Sequence, residues 1–236
     1  MLSRAAHRLA SHLFGGTCVL CRGAADVAHD EGLLCAACDA DLPRLSDALC
    51  PRCALASPRG ALCGRCLARP PAYDATVAAL EYRFPCDVLV HALKFRGELA
   101  LATPLGRLLG ERVARAGELV DWVLPVPLSA MRLRTRGYNQ SLEIARHAVR
   151  ALGARLATHV CERNRDTPPQ SALDWDERAR NVRSAFRCMV PLDGAAVAVV
   201  DDVMTTGATL EEIAATLKRA GAARVVNWVV ARTFFD

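Results

Sequence analysis

The chain has 236 residues, of which 52% are hydrophobic and 5% aromatic, and a formal net charge of +5. That suffices for one core-bearing domain plus a small module, packed mainly by Ala, Val and Leu, and it excludes a disordered chain. No apolar run approaches about 18 residues, so no transmembrane helix is expected.

The positive charge is uneven. Of the 30 cationic residues only Lys94 and Lys218 are lysines. Between Leu128 and Arg187 there are 12 arginines against 6 acids, so the rest of the chain is near neutral. Arginine binds phosphate bidentately, so this stretch permits phosphate-rich ligands without requiring nucleic acid.

Residues 1–15 place Leu2, Leu9, Leu13 and Phe14 near one helical face and read as a short helix or tail. They lack the continuous apolar core of a secretory signal. Four CxxC pairs follow: Cys18/Cys21, Cys35/Cys38, Cys50/Cys53 and Cys63/Cys66. Two thiolates two residues apart can face one tetrahedral ion, and two such knuckles complete a Cys₄ zinc site. Sequential pairing is favoured, by intervening stretches of thirteen and nine residues. Interleaved pairing is the alternative. With no histidine and no open position, both sites read as structural Zn²⁺. His29 reads as a loop residue. Cys86, Cys161 and Cys188 read as buried thiols.

Leu67 to Tyr73, LARPPAY, is a proline-containing linker. It divides a zinc-binding module at 16–68 from a second unit at 74–236. In that unit Ala75–Tyr82 reads as a strand, Cys86–Phe95 and Leu99–Arg115 as helices, and Asp121–Val126 as a strand. RLRTRGYNQS, from Arg132, reads as an arginine-rich, glycine-bearing loop feeding a helix capped by Asn139 or Ser141. Val160–Glu162 suggests a short strand. Arg163, Arg165 and Gln170 fall in a polar stretch without apolar period, a candidate lid. Arg178 and Asn181 lie three apart on a helical stretch beyond it.

Val197 to Ile213, VAVVDDVMTTGATLEEI, organises the unit. A buried strand ends in Asp201 and Asp202. A loop of small residues follows, Thr205, Thr206, Gly207, Ala208 and Thr209, and then a helix with acids in its first turn. Such a loop can point backbone N–H groups at one phosphate, aided by the helix N-terminus. Gly207 lets the backbone turn where a side chain would clash. The two carboxylates can accept from sugar hydroxyls. No lysine follows the glycine, so this is not a Walker A loop. Arg224–Ala231 reads as the final strand. The pattern predicts a doubly wound, mostly parallel α/β sheet with a small zinc-binding cap.

The Val197–Ile213 string resembles the phosphoribosyl pyrophosphate (PRPP) motif of type I phosphoribosyltransferases. The CxxC pairs, LKFRG (93–97), PVPLS (125–129), RGYNQS (136–141), TPPQSAL (167–173), Arg178 with Asn181, and VVDDVMTTGAT (199–209) occur together and in order. The whole is similar to the ComF family, a double zinc ribbon joined to a type I phosphoribosyltransferase-like domain. The resemblance implies that Asp201 and Asp202 hold the ribose hydroxyls on the Mg²⁺ side. It assigns the 5-phosphate to Thr205–Thr209 and the pyrophosphate to Arg136, Gly137 and their neighbours. It also implies a cytoplasmic protein linked to DNA uptake or nucleotide metabolism. Two readings follow: a phosphoribosyltransferase acting on PRPP, or a non-catalytic, PRPP-gated module that holds single-stranded DNA or a helicase partner.

Overall fold

The structure, a computed structural model, describes residues 16–26, 32–165 and 184–234. The expected N-terminal helix, His29, Gln170, Arg178 and Asn181 lie outside the described residues.

Four parallel strands form the central sheet. Their order is β3 (Ala75–Glu81), β8 (Arg224–Arg232), β7 (Ala196–Met204) and β4 (Trp122–Pro125). Parallel strands are joined by crossovers that cover both faces, so they are apolar in both directions. Val197 to Val200 are all buried, as are Val225 to Arg232. The last strand of the chain is therefore an inner strand of the sheet, not an edge.

Strand alternation sends neighbouring residues into two cores. On one face Ala198, Val200, Val226 and Trp228 pack with α3 (Cys86–Phe95), α4 (Ala102–Ala116) and α6 (Gln140–Leu152). On the other, Val197, Val199, Val225 and Val229 meet Leu210, Ile213 and Leu217 of α7 (Ala208–Arg219). This is the doubly wound architecture expected. α4 and α6 approach closely at Gly106, where an added Cβ would lie 2.5 Å from His147 Cβ and 2.7 Å from the Ile144 carbonyl.

RLRTRG differs from its sequence reading. It is a helix, α5 (Ala130–Arg136), not a loop. Ser129 caps it, its Oγ accepting from the Arg132 amide at 3.3 Å, and Gly137 ends it at φ +82°. A capping serine and a glycine just past the end are the ordinary start and stop of a helix, and here they outweigh the basic composition. Beyond α6, β5 (Cys161–Arg163) pairs antiparallel with β6 (Phe186–Cys188) as a separate two-stranded sheet.

The cysteine-rich segment folds against the sheet. It contributes a two-stranded turn, β1 (Gly16–Thr17) with β2 (Ala24–Ala25), and two short helices, α1 (Ala36–Ala40) and α2 (Gly64–Ala68). Cys18, Leu34 and Leu42 join the α3/α4/α6 core, whereas Ala54 joins the α7 core with Leu45 and Leu49 against it. The chain crosses from one face to the other over the exposed side of β3. There Glu81 N–H donates to the Pro43 carbonyl at 2.8 Å and Leu45 N–H to the Ala79 carbonyl at 3.1 Å. The opposite edge is covered in the same manner. Val123 N–H donates to Arg155 and Ala157 N–H to Val123, both at 2.8 Å. Among the described residues no helix is long and apolar enough to cross a membrane.

Candidate functional site

The eight knuckle cysteines form two tetrads in the sequential pairing, Cys18/Cys21/Cys35/Cys38 and Cys50/Cys53/Cys63/Cys66, with all four sulfurs of each within 4.8 Å of one another. Tetrahedral Zn–S bonds place sulfurs about 3.8 Å apart. Cys21 and Cys35 stand at 3.8 Å and Cys53 and Cys63 at 3.6 Å, so both sets fit Zn²⁺. Burial opposes charge at Cys18 and Cys50. Backbone N–H groups nonetheless outweigh it and pull the thiols down to about 6 and about 7. Metal analysis of the purified protein is expected to give two zinc ions per chain. Cys18→Ser and Cys63→Ser should each lose one ion and loosen their own half of the cap, as such sites fold with their metal. A wild-type chain with one ion or none would contradict the fit.

The second tetrad is bonded directly to the sheet. Three of the four carbonyls of its first knuckle are held from the sheet: Pro51 by the Thr76 amide at 3.0 Å, Arg52 by the Thr76 hydroxyl at 2.6 Å, and Cys53 by Arg232 Nε at 2.9 Å. Thr76 is fixed in turn by Asn227 Nδ2 at 3.2 Å. The Arg232 guanidinium, 1% exposed, continues beyond the knuckle. Its Nη1 donates to the carbonyls of Met204 and Thr233, each at 2.9 Å, and to that of Thr205. Arg65, beside Cys66, donates to the Thr206 carbonyl at 3.2 Å. Two guanidiniums thus tie back the successive carbonyls of the 204–206 loop. With its carbonyls turned to the arginines, the loop presents its other side to solvent.

That other side lines a cleft of about 670 Å³ at the carboxyl ends of β7 and β4. The whole run Asp201–Leu210 borders it, including all seven residues expected from the motif: Asp201, Asp202, Thr205, Thr206, Gly207, Ala208 and Thr209. Gly207 sits at φ +84°, and an added Cβ would lie 2.8 Å from Met204 Cε and 3.4 Å from the Tyr73 hydroxyl. Thr206 Oγ1 accepts from the Ala208 amide at 3.2 Å. Gly207, at the N-cap of α7, brings no side chain of its own, and of the first turn Thr206 Oγ1 takes the Ala208 amide. Glu211, one turn on, accepts from the Ala72 amide at 2.9 Å and pins the interdomain linker to the helix.

The acidic pair is not symmetric. Asp202 is 3% exposed, and its Oδ2 lies 2.5 Å from Lys94 Nζ. Burial pushes the Asp202 carboxyl up, but the Lys94 charge overcomes this and holds it below the ordinary carboxylate value. Lys94 is likewise held above its ordinary value, the carboxylate outweighing burial. Asp201 Oδ1 accepts from Ser141 Oγ and from the Asp202 amide, both at 2.9 Å. Burial first, then the neighbouring Asp202 charge, drives the Asp201 carboxyl up to about 7, with Lys94 and Ser141 only partly offsetting them.

The sign follows. A carboxyl raised above its unfolded value stabilises the fold fully at acid pH, and that contribution is lost as pH rises through about 7. Asp202, shifted the other way, loses its contribution only as pH falls below the ordinary carboxylate range. Urea unfolding of the ligand-free protein should therefore show falling stability from pH 5 to pH 8. Asp201→Asn should flatten that slope; an unchanged slope in the variant would refute the assignment.

The basic wall comprises Arg132 and Arg136 of α5 and Arg163 of β5. Arg136 lies over the Phe95 ring at 5.5 Å and donates to Gln140 Oε1. Gly137 does not line the cleft; it terminates α5, and an added Cβ would meet nothing within 4 Å. Arg165 is also outside the lining, its carbonyl accepting from Arg163 Nε at 3.3 Å. Asn139 is the cap of α6, accepting from the Ser141 and Leu142 amides, and its Nδ2 holds the Val126 carbonyl at 3.0 Å. Ser141, the alternative cap, instead serves Asp201.

Lys94 and Ser141 lie within LKFRG and RGYNQS, which assign them no role toward the acidic pair, and Arg232 lies outside every motif. One signal was available for Lys94. A chain that keeps lysine at only two positions has one of them here, where a compact point charge suits a buried carboxylate.

Comparison with known proteins places these features in a family. A model described as a double zinc ribbon domain matches residues 9–67. A Salmonella typhimurium protein named DNA utilization protein YhgH is 38% identical over 224 residues, spanning 92% of this chain and 97% of its own. Competence protein F of Haemophilus influenzae is 31% identical over 230 residues, 94% of this chain and 99% of that one. Among solved structures, the allosteric regulatory enzyme of purine biosynthesis is 22% identical with a TM-score of 0.38, over 55% of this chain and 26% of that one. A hypoxanthine phosphoribosyltransferase from Staphylococcus aureus is 11% identical with a TM-score of 0.34, over 57% and 74% of the two chains. With full-length relatives of this identity and a double zinc ribbon ahead of a parallel α/β domain, the chain belongs to the ComF family.

Proposed function

We propose that the cleft binds PRPP together with Mg²⁺ and that the protein transfers or holds the phosphoribosyl group. The observation that carries this reading is the junction at the end of β7. A backbone loop with its carbonyls tied back by Arg232 and Arg65 adjoins the half-buried Asp201 and the buried Asp202, whose carboxyls are pushed in opposite directions. Thr205–Thr209 hold the 5-phosphate through backbone amides, hydroxyls and the start of α7. Asp201 and Asp202 accept from the ribose 2- and 3-hydroxyls, with Lys94 keeping Asp202 ionised. Arg136, with Arg132 and Arg163, faces the pyrophosphate. Mg²⁺ neutralises pyrophosphate charge when bound. In transfer, a nucleophile bonds to the anomeric carbon as the carbon–oxygen bond to pyrophosphate breaks. The chain's part is to orient the sugar, stabilise the leaving charge and exclude water. The Arg163 side of the cleft is the candidate lid, and a site at 16–68 behind the loop is the candidate brace.

The test is incubation with PRPP, Mg²⁺ and a panel of acceptors while pyrophosphate release is followed. Release supports transfer. Calorimetric binding without release supports a PRPP-gated module, and no binding refutes both. The names of the relatives, DNA utilization protein and Competence protein F, favour a role near DNA for either outcome. If the arginine wall also holds single-stranded DNA, its affinity should fall linearly with the logarithm of salt concentration. Binding that is absent at low salt, or indifferent to salt, rules that partner out.

A further inference from the structure

Three cysteines remain outside the zinc sites, and two of them face each other. In the β5/β6 pair, Cys161 stands directly opposite Cys188, with Glu162 opposite Arg187 and Arg163 opposite Phe186. The bonding pattern fixes which kind of pair each is. Asn164 N–H donates to the Ala185 carbonyl at 3.0 Å, and Met189 N–H donates to the Val160 carbonyl at 2.9 Å. Those two rungs are therefore of the hydrogen-bonded type. Since the types alternate, Cys161–Cys188 and Arg163–Phe186 are of the non-hydrogen-bonded type. Such partners have Cα atoms roughly 4.5 Å apart, within the roughly 4.4–6.8 Å a disulfide spans. The two side chains share a face. Cys161 is buried in the core beneath α7, and Cys188 packs against that core from the same side. The Arg163 guanidinium lies 5.4 Å from the Phe186 ring, one like rung away, showing that side chains on this face do meet across the pair.

We infer that Cys161 and Cys188 form a reversible cross-strand disulfide, a thiol modification site separate from the two zinc centres. The chemistry is exchange with a low-molecular-weight disulfide. Cys188, half-buried, offers the accessible thiol. Its thiolate attacks one sulfur of the reagent and expels the other as a thiol after protonation. Cys161 is buried, and burial pushes its thiol up to about 12, so it reacts second. It attacks Cys188 Sγ intramolecularly and releases the second reagent thiol. Two protein thiols and one disulfide become one protein disulfide and two small thiols, so electrons and protons balance. The link would lock the strand pair that carries Arg163 to the cleft wall.

The test uses the full-length, zinc-loaded chain equilibrated with mixtures of oxidised and reduced glutathione. Non-reducing peptide mapping should recover a Cys161–Cys188 crosslink. Thiols titrated after denaturation and chelation should fall by two per chain while zinc stays at two ions. Cys188→Ala should abolish both the crosslink and the loss of thiols. If that variant folds poorly, mapping of the wild type alone decides the question. Glutathione remaining on Cys188 without a crosslink would overturn the proposal. So would zinc release before any Cys161–Cys188 link appears.

Discussion

Gly207→Val is expected to abolish Mg²⁺–PRPP binding while leaving the zinc content unchanged. At φ +84° a β-branched residue is strained by about 1–2 kcal/mol from backbone sterics alone. Its Cβ would also stand 2.8 Å from Met204 Cε and 3.4 Å from the Tyr73 hydroxyl. The Met204 side chain is flexible and can give way at its tip, so the positive φ is the larger obstacle and it is relieved by a shift of the loop backbone. Any such movement would withdraw the amides from the proposed phosphate position. Asp201→Asn and Asp202→Asn probe the proposed sugar side of the same site. Each removes charge-assisted hydrogen bonds of roughly 1.5–3 kcal/mol, an affinity loss on the order of 10-fold or more. Asp202→Asn carries a second effect, because it leaves the Lys94 ammonium without its carboxylate. Adding Lys94→Met should restore stability without restoring binding, which separates the two roles in a double-mutant cycle. Calorimetry and urea unfolding on the set decide the matter. If the double Asn variant binds as tightly as wild type, the assignment of the sugar to these carboxylates is wrong.

Arg232→Met is expected to be the most destabilising single change outside the hydrophobic core. The guanidinium satisfies carbonyls of Cys53, Met204, Thr205 and Thr233 from a fully buried position. A buried acceptor left without a donor costs about 1–3 kcal/mol. Because some of these groups regain partners on relaxation, the sum should come to about 3–5 kcal/mol rather than the full total. Arg232→Lys should rescue little, since a single ammonium cannot reach a knuckle carbonyl and the loop carbonyls together. Both variants should also weaken PRPP binding, because the loop loses the donors that turn its carbonyls away from the cleft. Chemical denaturation and calorimetry check the two effects. A variant as stable as wild type would show that water substitutes for the guanidinium.

The elements whose sequence carries a strong period were the legible ones. Cys86–Phe95 is a helix over the span its apolar spacing predicts, and VAVVDDVM is a strand, as an unbroken apolar run, mostly valine, before two acids suggests. The tetrads were legible because CxxC spacing is itself ligand geometry. RLRTRG was misread because charge density drew attention from the Ser129 cap and the Gly137 stop. Position in the sheet was not legible at all. Nothing within RVVNWVVAR states that it lies between β3 and β7 rather than at an edge. The partners Lys94, Ser141 and Arg232 were hidden for a related reason. Each is 30 or more residues from its contact in the site, except that Arg232 reaches loop residues 27 and 28 positions earlier. Long-range polar contacts leave no local pattern to read.

The crossing segment Pro43–Leu45 has a bearing on proteostasis. A parallel sheet with a bare edge offers its unused amides and carbonyls to any passing strand, the route to amyloid-like stacking. Here that edge is blunted by a stretch suspended between two metal-dependent knuckles, with proline as its first residue. Cover of the β3 edge is thereby tied to the zinc-dependent folding of the flanking knuckles. The cysteines thus serve the sheet's exposed edge as well as the cap, quite apart from anything the cleft binds.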